Sequence, residues 1–143
     1  MTDNKPRWIY RFNNFQRAYT LLREAMEEKA DHKLNSLEKE GVIQRFEYSI
    51  ELAWKTLKDY LEYQNVVFSQ VTPRVVIKEA FAANIIDGQV WMNALDARNK
   101  MSHTYDESKF EEVIEDIQNS YFPAMEELYF KFLKYVQEEG YSE

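Results

Sequence analysis

Three glycines and three prolines are all that punctuate this chain of 143 residues. Tight turns depend on those two residue types, so a fold of many short strands joined by hairpins is excluded and long helices remain. The apolar positions agree. Trp8, Phe12, Phe15, Ala18, Leu22 and Ala25 recur every three or four residues, which puts them on one face of a helix. Ile43, Phe46, Ile50, Ala53, Trp54, Leu57 and Leu61 repeat the pattern, as do Phe110, Val113/Ile114, Ile117, Tyr121, Met125, Leu128, Phe132 and Tyr135/Val136. The expected architecture is all-α, an antiparallel up-and-down bundle of four main helices plus a short extra one, in a single domain over residues 1–143.

Local signals place the ends. The first helix fades near Ala30, and the polar stretch Asp31 to Glu40 reads as an exposed connection carrying an inert His32. The second helix starts either at the capping box of Asn35 with Glu38 or nearer Gly41, and ends around Gln64-Asn65. Val66-Val67-Phe68 is β-prone but isolated, and is expected as a buried loop. Thr72-Pro73 starts a short third helix and Asp87-Gly88 opens the fourth. Thr104 with Glu107, or Asp106 alone, caps the fifth, which Pro123 should kink or locally break.

Composition removes several function classes. There is no cysteine, hence no disulfide and no thiolate metal site. No apolar run approaches the roughly 20 residues of a membrane span, and the first residues lack a signal core, so a cytoplasmic protein is expected. The net charge of −7 disfavours non-specific nucleic-acid binding, which needs clustered Lys and Arg. No phosphate-cradling glycine loop is present, nor the Gly-Ser turn with paired aspartates of a nucleotide-transferring domain. The chain is therefore not itself a nucleotidyltransferase, and no cofactor or metal is expected.

Chemistry concentrates in Arg98-Asn99-Lys100-Met101-Ser102-His103-Thr104-Tyr105. Arg98 supplies a permanent planar cation suited to phosphate, and His103 is the group that can move protons near neutral pH. Arg98 falls on the apolar stripe of the fourth helix, where a guanidinium needs an anion, a carboxylate or a subunit boundary. Arg98 and His103 lie roughly 140° apart on an ideal helix, so they converge only if the helix ends near Ser102 or two copies meet. An ordinary account stands beside this one: Arg98 pairs a core carboxylate and His103 caps a turn. Glu47 and Glu51, four apart on one face, suit a metal or acid–base work. The plainer alternative pairs Glu51 with Lys55 or with Arg98. Trp54 and Trp91 fit core anchors as well as a binding or partner surface shared with Glu51 and Lys55.

Together with these residues, Gly41-Val42-Ile43-Gln44-Arg45-Phe46-Glu47-Tyr48, Glu51-Leu52-Ala53-Trp54-Lys55, Ile85-Ile86-Asp87-Gly88-Gln89-Val90-Trp91 and Tyr105-Asp106-Glu107 carry a resemblance. From about Phe15 to about Tyr129 the chain resembles the nucleotidyltransferase substrate-binding protein family, a branch of the HEPN superfamily. The resemblance implies a helical homodimer that assembles with a minimal nucleotidyltransferase encoded nearby, as in toxin–antitoxin pairs. It implies that the chain is a non-catalytic substrate-binding or acceptor subunit, adenylylated at the motif tyrosine, here Tyr105. The alternative it implies is a metal-independent ribonuclease toxin. In that case Arg98 would hold the RNA phosphate, His103 would act as acid or base, and Asn99 would orient either, at a site built where two subunits meet.

Overall fold

The computed structural model describes residues 5–101 and 107–140. The described residues are helical and carry no strand. Helix α1 (Arg7–Asp31) and helix α2 (Ser36–Tyr63) form the long hairpin against which the rest packs. The connection between them is only residues 32–35, much shorter than the expected 31–40. The Asn35 capping box decides the matter: its side chain accepts from the Glu38 N–H at 2.8 Å, and Glu38 accepts from the Asn35 N–H at 2.9 Å. Gly41 is thereby taken inside the helix, where nothing crowds it.

Helix α3 (Pro73–Ala82) starts as the Thr72-Pro73 pair predicts, with the Thr72 hydroxyl accepting from the Val75 N–H at 3.2 Å. Helix α4 (Gly88–Met101) follows, its entry held by the Asp87 carboxylate on the Gln89 N–H. A Cβ at Gly88 would stand 3.0 Å from the Phe81 ring, so that ring, 57% exposed, would have to give by a few tenths of an ångström. Helix α5 (Glu107–Asp116) continues through a π-turn at Ile117–Tyr121 into helix α6 (Phe122–Glu138). The interruption predicted from Pro123 takes that form. Proline lacks an N–H and crowds the carbonyl one turn back, and the wider i→i−5 bond from the Phe122 N–H to the Ile117 carbonyl accommodates it.

The expectation for Val66-Val67-Phe68 is corrected. Val66 and Phe68 are half-buried, but Val67 is 91% exposed. Asn65, in the left-handed region with φ 71°, turns the chain out of α2 and no neighbouring element covers the segment's outer side.

The core is aromatic. Trp8, Phe12, Phe15 and Tyr19 of α1 meet Phe46 and Leu57 of α2 and Phe132 of α6, all essentially without solvent contact. The Asp59 carboxylate is buried between α1 and α2, where Arg11 Nε donates to it at 2.9 Å, with Arg7 at 3.8 Å and Lys58 at 3.4 Å. Among the described residues no helix is long and apolar enough to cross a membrane.

Candidate functional site

Glu47, Glu51 and Lys55 follow one another at helical spacing along α2, and the last turn of α4 brings Arg98 against that strip. Arg98 Nη1 donates to Glu51 Oε1 at 2.7 Å across 47 residues of sequence. The same Glu51 oxygen accepts from the Trp54 indole N–H at 3.2 Å, and Lys55 Nζ approaches the other oxygen at 3.1 Å. Three donors from two helices thus converge on one carboxylate. Arg98 Nη2 also donates to the Asn99 side-chain oxygen at 3.2 Å, and the Lys55 ammonium lies 6.0 Å from the Trp54 ring centroid.

Exposure differs among these groups. The Arg98 side chain is only 20% exposed, whereas those of Glu51 and Lys55 are about twice as open, at 40% and 36%. Burial alone would raise the Glu51 carboxyl. Hydrogen bonds from Lys55 and Trp54, with the charges of Lys55 and Arg98, outweigh it and hold the group below the usual carboxylate range. Glu47 behaves oppositely: burial pushes its carboxyl up, and the Arg98 charge only partly counters that. Two carboxylates of one helix face, one turn apart, therefore differ in how readily they take a proton.

Both plain pairings foreseen for Glu51, with Lys55 and with Arg98, exist at once. Arg98, Asn99, Glu51, Trp54 and Lys55 come together. Trp91 does not join them: it lies two turns before Arg98 on α4, 3% exposed, as a core anchor. His103 and Tyr105 lie outside the described residues, as do the caps Thr104 and Asp106.

A cleft of about 680 Å³ opens between α4 and α5, lined among the described residues by Asn99, Lys100, Lys109 and Tyr121 together with the carboxylates of Asp96, Glu112 and Asp116. Asn99 borders both the cleft and Arg98. Lys109 was not expected to contribute; it stands on an amphipathic helix face among acidic residues, and nothing in its spacing marks it. Between α1 and α2, Leu21, Tyr48 and Leu52 line a shallow apolar groove with Arg17 and Arg45. Tyr48 is 61% and Leu21 46% exposed.

His32 caps the end of α1, with Nε2 2.9 Å from Glu38 and Nδ1 3.6 Å and 3.7 Å from Glu28 and Asp31. Glu28, Asp31 and His32, all exposed, could each offer one atom to a metal ion. Ion pairing to a protonated imidazole accounts for the same arrangement.

The described residues form a small all-α bundle in which an arginine, an indole and a lysine converge on one carboxylate. The chain belongs to the family described as nucleotidyltransferase substrate binding protein like, whose model matches residues 10–134. No curated protein matches the chain.

Proposed function

We propose that this chain is the partner subunit of a small, separate nucleotidyltransferase, holding or accepting what that enzyme transfers. It works as a homodimer of the HEPN type and belongs to a two-component system of the toxin–antitoxin kind. Arg98 holds a phosphate, Asn99 orients it and His103 handles the proton. Tyr105 is the acceptor: its phenol oxygen attacks the α-phosphorus of ATP, pyrophosphate leaves with the bonding pair, and the phenol proton passes to a base.

The observation that carries this reading is the Arg98 cluster. A guanidinium four-fifths withdrawn from water, held by a carboxylate that is itself 40% exposed, suits recognition of a small anion. Membership of the family supports the nucleotidyltransferase as the partner. The exposed Leu21 and Tyr48 beside Leu52 support a second copy docking next to the cluster. Coexpression with the neighbouring nucleotidyltransferase should give a complex, and an adenylate mass on the peptide containing Tyr105, absent in Tyr105→Phe. A chain that neither associates nor gains that mass would refute the proposal.

The Arg98–Asn99 contact favours a second reading, a ribonuclease that cuts RNA without metal. The net charge of −7 weighs against it, since RNA must be drawn to an acidic surface. RNA cleavage by the isolated protein in EDTA, lost in His103→Ala, would establish it over the first.

A further inference from the structure

We propose that Glu51 occupies an anion seat, and that Arg98, Lys55 and the Trp54 N–H take the terminal phosphate of a nucleotide there when the carboxylate swings out. This rests on the reading of Arg98 as the phosphate-holding residue and adds to it a second cation and a resident competitor.

The seat is defined by its donors. Arg98 Nη1 at 2.7 Å and Trp54 Nε1 at 3.2 Å meet one Glu51 oxygen, and Lys55 Nζ at 3.1 Å meets the other. A phosphate presents oxygens to such donors much as a carboxylate does, so it can replace Glu51 without rebuilding the site. Mobility is distributed in the right sense. The Trp54 residue is 9% exposed and the Arg98 side chain 20%, so packing fixes those donors. The Glu51 side chain is 40% exposed and can turn to water on the helix surface.

Charge selects the ligand. Glu51 contributes a single negative charge at the seat made by Arg98 and Lys55, whereas a phosphate monoester carries about −1.5 to −2 at neutral pH. A phosphodiester carries only one charge and gains less by the exchange. Glu47, the other carboxylate whose charge Arg98 meets, is pushed towards its neutral form by burial. The ligand class is a nucleotide ending in a phosphate monoester, of which a nucleoside monophosphate is the smallest member.

Titration of the full chain with AMP, inorganic phosphate and adenosine, followed by calorimetry and by the Trp54 indole N–H resonance, tests this. AMP should bind the native chain weakly and move the Trp54 resonance, since its acceptor changes; adenosine should do neither. Glu51→Gln, which keeps the side chain's shape, should bind AMP about tenfold tighter, and Lys55→Met about tenfold weaker. Tighter binding of AMP than of inorganic phosphate identifies the nucleotide as ligand, and equal binding identifies the phosphate alone. If Glu51 merely props Arg98, Glu51→Gln binds AMP more weakly, and the exchange is overturned. It is equally overturned if neither protein binds AMP or phosphate below about 10 mM, or if AMP binds the native chain while the Trp54 resonance stays still. Loss of AMP in Arg98→Met with unchanged affinity in Glu51→Gln would remove the exchange but keep Arg98 as the phosphate holder. Labelling of Tyr105 decides the partner assignment independently.

Discussion

Asp59 and Glu51 are carboxylates eight residues apart on α2, each facing more than one cation, yet they do different work. Asp59 is 1% exposed and joins the start of α1 to the end of α2 through Arg11, with Arg7 and Lys58 at longer range. Glu51 is 40% exposed and meets Arg98 and Lys55 where α2 and α4 come together. Once water is excluded, removing one partner strands the other charge, so a buried pair is locked. Where water reaches the carboxylate itself, as at Glu51, the pair can open and another anion can enter. Burial, more than the number of cations, separates a structural ion pair from an exchangeable one.

The largest effect tests the locked side. Asp59→Ala should cost about 1.5–3 kcal/mol, read from urea unfolding, because Arg11, only 24% exposed, loses its charged acceptor. A loss below about 1 kcal/mol would erase the contrast with Glu51. Asn35→Ala supplies an exposed but structural contact between the two extremes. It removes the capping box of α2 and should cost about 1 kcal/mol in the same measurement. Glu51→Gln should change stability by less than about 1 kcal/mol, with a salt dependence that Asp59→Ala lacks.

The smallest effect belongs to the exposed pair of His32 and Glu38, which controls for exposure alone. A hydrogen bond to Glu38 raises His32 above its ordinary 6.5, so this contribution is fully present below 6.5 and is lost as pH rises through the raised value. The Asn35 N–H, then His32, lower Glu38 below its ordinary 4.5, so that contribution is present above 4.5 and is lost as pH falls through the lowered value. The pair is strongest between those two ordinary values. An NMR titration should place the His32 midpoint above 6.5 and return it towards 6.5 in Glu38→Gln.

Much of this was legible in the chain. The Asn35 and Thr72 caps, the interruption at Pro123 and the presence of Arg98 on an apolar stripe all follow from residues within one or two turns of each other. The Val66–Phe68 segment misled because β-branched residues signal burial only when another element is available to cover them, and none covers Val67. Asp59 gave no warning. It sits between Leu57 and Leu61 without sharing their spacing, and its burial arises because Arg11, 48 residues away, reaches it.

Periodicity and capping are local energies, written in side chains three or four residues apart, and by themselves they determined an all-helical chain with a guanidinium turned inward. Which carboxylate meets that guanidinium was decided only in three dimensions. The Arg98–Glu51 contact spans 47 residues and depends on how α4 is rotated against α2. That rotation is set by the packing of the whole core, and no short stretch of sequence contains it.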